Sequence, residues 1–309
     1  MKNKYIIGID LGGTYLKIAL FDSSLRFKEK KFFSTSEFSQ PESLIDGIAE
    51  AVFEIIKENK LKNSDILGAG LGLPGPIDVK NGVAHFFPNI PGWIDVPVAK
   101  ILRKKTGLEV FIDNDANLMC LAEFRMGSAK GAKNAVCLTL GTGVGGGLII
   151  EGKLYRGSSY AAGEIGHMPI NLKGRPCNCG GFACLESYIG NRRIATLVKK
   201  VFKKDIPLDE VSRMAAKNNS KAIRVWEDVG AKLGVALVSV VNLLNPDRIV
   251  IGGGVANAGR VLFSKIEEVI ITRAMVVQAA KVKVFKAKLG NDAGMLGGAL
   301  LVKEHSGGL

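Results

Sequence analysis

The sequence predicts an α/β fold in two lobes built on one plan. Two features of the 309-residue chain carry this reading. Apolar runs of strand length alternate with amphipathic helical stretches, the pattern of an α/β architecture. The opening segment Ile7–Phe21, a strand, a glycine turn and a second strand, also returns as Val136–Ile150, with Asp10 falling on Thr139, Leu11 on Leu140 and Gly12 on Gly141. Length agrees, because a single core stops growing near roughly 250–300 residues.

The elements follow in order. Tyr5–Asp10 and Tyr15–Phe21 read as strands joined by Leu11-Gly-Gly-Thr14, with Phe27–Phe33 a third after the Asp22-Ser-Ser turn. Pro41 opens a helix with Leu44, Ile48, Val52 and Ile55 on one face. Ile66–Leu73 is a buried strand stopped by Pro74-Gly75-Pro76, and a short helix ends at Gly107. Glu109–Asp113 is a strand that delivers Asn114 and Asp115 to the start of a helix over Ala116–Met126. The later chain is mainly helical. Ser220–Asn245 forms a long helix stopped by Asn245-Pro246, Arg248–Ile251 is a strand ending in Gly252-Gly-Gly254, and Gly294–Val302 closes the chain as a helix after a strand near Val282–Phe285.

The formal charge of +13 is spread in small groups such as Arg103–Lys105 and Lys281–Lys288 rather than in one stripe with repeated aromatics. It reads as solvated surface, suited to drawing in a polyphosphate rather than to holding nucleic acid. The N-terminus has no signal-peptide pattern, and no apolar run approaches the roughly 20 residues that cross a bilayer. A soluble, cytoplasmic protein with no membrane or nucleic-acid partner is expected.

Three glycine turns, Leu11–Thr14, Leu140–Gly147 and Ile251–Gly254, each end an apolar strand. Glycine lets backbone N–H groups converge on a phosphate with no Cβ in the way. Gly141-x-Gly143-x-x-Gly146 is not a dinucleotide fingerprint, because strand-like Leu148–Ile150 follows it where a helix is required. A plain hairpin is the alternative for any one of these turns. Asp10, beside the first, is placed to hold Mg²⁺ near phosphates or else to cap its own turn.

Asp113-Asn114-Asp115-Ala116-Asn117 carries more polar side chains than one helix cap needs. Phosphoryl transfer to an alcohol requires a carboxylate that orients the hydroxyl and takes its proton, which suits Asp115 as base with Asn114 as sugar ligand. Of 5 Cys and 3 His, Cys177, Cys179 and Cys184 cluster downstream of His167. One histidine and three thiols match a closed tetrahedral Zn²⁺ site of structural type. Glu164 and Glu186 flank that segment, either converging on one ligand's hydroxyls or lying on the surface.

Together Asp10-Leu-Gly-Gly-Thr14, Gly72–Asp78, Pro88–Trp93, Asn114-Asp-Ala-Asn117, Leu140–Gly147, Ala162-Gly-Glu-Ile-Gly-His167 and Cys177–Glu186 resemble the ROK family of repressors and kinases over almost the whole chain. The resemblance implies the actin-like, hexokinase-like ATPase fold, with ribonuclease H-like duplicated lobes and a sugar cleft between them. The small lobe would comprise residues 1–116 with a returning helix at about 292–309. The large lobe would run from 117 to 291, its zinc-binding segment at 167–184. Asp115 would be the catalytic base, with Gly75, Asn89, Asn114, Asp115, Glu164, His167 and Glu186 at the sugar. Asp10, Gly12, Gly13, Thr14 and Lys17 would serve ATP and Mg²⁺. Gly141, Thr142 and Gly143 would face the phosphates, and Gly252, Gly253 and Gly254 the adenosine. His167, Cys177, Cys179 and Cys184 would hold zinc. Asp113 stands where Glu is the more familiar residue, and no functional consequence is expected.

The implied activity is transfer of the ATP γ-phosphate to the 6-hydroxyl of a hexose, with glucose favoured by Cys-Leu-Glu-Ser-Tyr188 and Gly290-Asn-Asp-Ala-Gly294. N-acetylglucosamine, N-acetylmannosamine, mannose and fructose are the alternatives. Only four residues precede Tyr5, so a DNA-binding helix-turn-helix of the family's repressors is not expected. A catalytically dead sugar sensor is disfavoured by Asp10, Asp115 and both phosphate turns. A homodimer is implied by the resemblance alone.

Overall fold

In the computed structural model, residues 4–35, 38, 40–87 and 93–307 are described. The chain divides into two compact units. One comprises Met1–Ala122, Arg156–Ala162 and Asn291–Leu309, the other Glu123–Tyr155 and Gly163–Gly290.

The first unit is built on β1 (Tyr5–Leu11), β2 (Tyr15–Phe21) and β3 (Phe27–Ser34), followed by α1 (Pro41–Glu58) and β4 (Ile66–Leu73). A small antiparallel sheet of β5 (Ile77–Asp78), β6 (Val83–Phe86) and β7 (Ile94–Val96) comes next, then α2 (Val98–Thr106), β8 (Val110–Asn114) and α3 (Asp115–Met126). The main sheet has the order β3-β2-β1-β4-β8, with β1 antiparallel to β2 and parallel to β4. Alternation buries Ile7, Ile9, Leu71 and Ile112, and α1 covers this layer with Leu44, Ile48, Val52 and Ile55, the face read from its 3.6-residue period. Gly107 ends α2 in the left-handed conformation at φ 70°, which glycine adopts without a Cβ penalty.

The second unit contains β9 (Ala135–Leu140), β10 (Val144–Ile150), β11 (Lys153–Tyr155), α4 (Glu186–Ile189), α5 (Asn191–Phe202), α6 (Leu208–Ala216), α7 (Ser220–Leu244), β12 (Arg248–Gly252), α8 (Arg260–Arg273), α9 (Val276–Ala279) and β13 (Lys283–Lys286). Its sheet order, β11-β10-β9-β12-β13, repeats that of the first unit strand for strand. The predicted internal repeat is therefore one of topology. One detail differs from the ungapped sequence match. Leu11 pairs with Leu16, whereas Leu140 pairs with Val144, so the second turn is one residue shorter and the strands after it are offset by one. The N-terminus of α7 is capped by the Asn219 side chain, which accepts from Ala222 N. Its core face is Trp226, Val229, Leu233, Leu237 and Val241.

The final helix, α10 (Ala293–His305), packs on β1 and β4 of the first unit with Met295, Leu296, Ala299, Leu300 and Leu301 buried. Glycine allows the close approach. A Cβ at Gly8 would overlap the Met295 carbonyl, and one at Gly70 the Gly298 carbonyl. No described helix is long and apolar enough to cross a membrane.

Candidate active site

In the first unit, β1, β4 and β8 run parallel and bring Asp10, Gly72 and Asp113 into one row at their carboxyl ends. Asp10 is paired across the hairpin with Lys17, Nζ to Oδ2 at 2.8 Å. Its carboxyl group lies against Gly294 near the start of α10, where any side chain would collide with it. The adjoining turn is closed by Gly12 N–H donating to Tyr15 O at 2.9 Å, and it leaves Gly13 and Thr14 exposed.

Strand β8 ends at Asn114 and α3 begins at Asp115 because Asn114 acts as a cap. Its Oδ1 accepts from Ala116 N at 2.9 Å and Asn117 N at 3.2 Å, satisfying helix donors that would otherwise be orphaned. Its Nδ2 donates to Gly75 O at 3.1 Å, joining the β8–α3 junction to the turn after β4. Gly75 has φ +88°, and a Cβ there would run into Phe86 O, so the turn requires glycine. Asp115 is half-buried, with Oδ1 accepting from Ala116 N at 2.8 Å at the positive end of α3. One residue earlier, Asp113 is fully buried and paired with Arg156, a partner no sequence motif announced. Asn89 lies outside the described residues.

In the second unit, the turns Gly141–Gly143 and Gly252–Gly254 lie side by side. They follow parallel β9 and β12, and Gly253, at φ +81°, sits against the backbone of Leu140. Glu186, at the start of α4, accepts from Val144 N at 2.8 Å, its Oε2 filling the space a Cβ on Gly143 would need. Asn191 N at the start of α5 donates to Gly141 O at 2.9 Å. The turn Gly141-Thr142-Gly143 is thus held from both ends by the segment that follows the cysteines. Spacing alone gave no sign of this latch.

His167, Cys177, Cys179 and Cys184 converge, their ligand atoms all within 4.8 Å of one another. Cys179 Sγ to Cys184 Sγ and Cys177 Sγ to His167 Nδ1 are each 3.7 Å. A tetrahedron with Zn–S bonds of about 2.3 Å has edges of about 3.8 Å, so the four fit a zinc-sized dication. The thiols also oppose one another. Burial and the neighbouring thiols push Cys184 up to about 12. Burial also works to raise Cys177, but hydrogen bonds from the Cys179 backbone, Ser187, Cys179 and His167 bring it to about 7. Ionising these clustered thiols together would take a cation at this point. With Nδ1 turned to the cysteines, His167 Nε2 faces Glu164 Oε2 at 3.8 Å, leaving the other edge of the ring for a second role. The Glu164 carboxyl is raised by loss of hydration and by Glu186, against the lowering effect of His167.

Duplicated sheets of this order, each with a glycine turn after its first strand, define the actin-like, hexokinase-like ATPase fold. The chain matches the ROK family over residues 6–305 and belongs to it. It is 36% identical to a glucokinase of Halalkalibacterium halodurans, over 99% of this chain and 97% of that one. It is 33% identical to a xylose repressor of Caldicellulosiruptor bescii, over 94% of this chain and 76% of the repressor. Among solved structures, a ROK family glucokinase from Streptomyces griseus in complex with glucose and AMPPNP superposes with a TM-score of 0.84 at 27% identity, covering 97% of this chain and 99% of that one.

Proposed function

We propose that the chain is an ATP-dependent glucose kinase that phosphorylates the 6-hydroxyl with Asp115 as general base. The observation that carries this is a half-buried carboxylate at the end of a buried strand, fixed at a helix N-terminus beside the Asn114 cap, in a family member related to glucokinases. A carboxylate so placed accepts a hydrogen bond from the sugar hydroxyl and takes its proton as O6 attacks the γ-phosphorus. The bond from that phosphorus to the β–γ bridging oxygen breaks, and ADP leaves with the electron pair. Asn114, Glu164, His167 and Glu186 supply donors and acceptors for the other hydroxyls, with Gly75 contributing backbone and Asn89 assigned by resemblance.

Asp10, Lys17 and the turn Gly12–Thr14 serve the ATP phosphates and Mg²⁺, which supplies charge neutralisation when bound. Gly141, Thr142 and Gly143 face the phosphates and Gly252–Gly254 the adenosine. Zinc on His167, Cys177, Cys179 and Cys184 is structural, since four protein ligands leave no position for an activated water. The small lobe is built on residues 1–116 with the last helix and takes in Arg156–Ala162, and the large lobe is the rest of residues 117–291. Reduced zinc-binding thiols and use of ATP fit a cytoplasmic enzyme. The oligomer is a homodimer, and a clean monomer mass in light scattering would dismiss that assignment.

The test is ADP release with Mg·ATP across hexoses and N-acetylhexosamines. Turnover with glucose and its loss in Asp115→Asn, with sugar binding retained, is expected. Near-normal turnover in Asp115→Asn removes the base assignment, and preference for an N-acetyl sugar replaces glucose. The 33% identical repressor favours a second reading, a non-catalytic sugar sensor, for which glucose would bind without any turnover.

A further inference from the structure

Asp113 is completely buried. A buried carboxylate must be met by charge and hydrogen bonds, or it takes up a proton. Four donors meet this one. Arg156 aims two at Oδ2, Nε at 2.8 Å and Nη2 at 2.6 Å. Oδ1 accepts from Asn117 Nδ2 at 3.0 Å and from the backbone N–H of Asn114 at 2.7 Å. Asn114 and Asn117 bracket Asp115 in sequence, and both are held through Asp113.

The segment carrying Arg156 is itself unusual. Residues Arg156–Ala162 pack into the first unit, although the chain on either side belongs to the second. Ala162 N donates to Arg156 O at 3.0 Å, closing the segment into a loop. A Cβ on Gly157 would come to 3.1 Å from Ala162 Cβ, which keeps the loop tight. Such a loop presents the guanidinium from a fixed base, and a planar guanidinium directs two N–H groups at once where an ammonium cannot.

We infer that Arg156, acting through Asp113, positions Asp115 for proton acceptance. The inference rests on reading Asp115 as the base. Without the guanidinium, Asp113 is a buried anion with only Asn114 and Asn117 to meet it. It must pull them inward, admit water or take up a proton, and each response moves the start of α3 and with it the Asp115 carboxylate. Small displacements of a reacting group are costly, with about 1 Å capable of reducing rate by about 100-fold. Asp113 and Arg156 touch no reacting atom and are positioning residues.

The experiment compares Arg156→Gln, Arg156→Lys, Asp113→Asn and the double variant Asp113→Asn/Arg156→Gln with wild type. It measures kcat, KM for glucose, KM for ATP and the thermal unfolding midpoint of each. Each neutralising single variant should lower kcat about 10–100-fold, a larger factor than it raises KM for glucose, to which the displaced Asn114 also contributes. Arg156→Lys, which keeps the charge but not the fork, should fall between these and wild type. The double variant, with charge balanced and amides in hydrogen-bonding reach, should recover kcat above both singles.

A lowered unfolding midpoint with wild-type kcat well below that midpoint would make the pair purely structural and overturn the inference. If Arg156→Gln does not fold, Arg156→Lys and the double variant carry the same comparison. Failure of the kinase reading looks different, because wild type itself would then show no turnover. An active wild type whose folded variants all keep kcat overturns only the positioning role.

Discussion

Replacing Gly143 by Ala tests the latch between the second glycine turn and Glu186. Gly143 does not use the left-handed region, so alanine meets no backbone penalty and the effect is confined to what its Cβ strikes. That atom would lie 2.5 Å from Glu186 Oε2, whereas ordinary contact begins at 3.4 Å, so the carboxylate must retreat by about 0.9 Å. The hydrogen bond from Val144 N, now 2.8 Å, is then stretched past useful range. A hydrogen bond to a charged acceptor contributes about 1.5–3 kcal/mol. A loss near the middle of that range, about 2 kcal/mol, lowers the unfolding midpoint by about 4–8 °C for a unit of this size. Expressed in binding, about 2 kcal/mol raises KM for ATP about 30-fold. The assays are calorimetry on the ligand-free protein and ATP titration at saturating glucose. Adding Glu186→Gln to Gly143→Ala should cost little more in the unfolding midpoint, since both remove one contact. An unfolding midpoint and KM for ATP both within error of wild type would show that the latch is not used.

Two further outcomes are expected. Metal analysis should find one zinc per chain, and chelation should lower the unfolding midpoint while making Cys177, Cys179 and Cys184 reactive to a thiol reagent. A zinc-free preparation of unchanged stability would refute the site. Asn219→Ala, which removes the cap on Ala222 N, should destabilise the second unit by about 1 kcal/mol without altering kcat. A loss of kcat there would tie α7 to the chemistry in a way the structure does not suggest.

Much of the architecture was legible because it rests on local rules. Period-2 and period-3.6 patterning gave β1, β2, β4 and α7 within a residue or two of their observed bounds, and the start and buried face of α1. Asn245-Pro246 and Gly107 marked helix ends through backbone chemistry that needs no tertiary partner. The cysteine cluster was legible for the same reason, since His167 and three thiols lie close in the chain. The one-residue difference between the repeated turns was not, because an ungapped match is blind to which strand residues face each other.

Chain order thus determined the repeated strand–turn–strand plan, the placing of Asp10 and Asp115 at strand ends, and the thiol cluster. Tertiary structure decided which groups those residues answer to. Lys17 lies seven residues from Asp10 and pairs with it only because β1 and β2 are in that register. Arg156 lies 43 residues from Asp113 and Glu186 lies 42 from Val144. Long-range pairs of this kind depend on how sheets and loops fold back, which leaves no periodic trace in sequence. Asp113 shows the difference best: in the sequence it is an inconsequential variant of a motif, and in the fold it is a buried anion with four donors beside the proposed base.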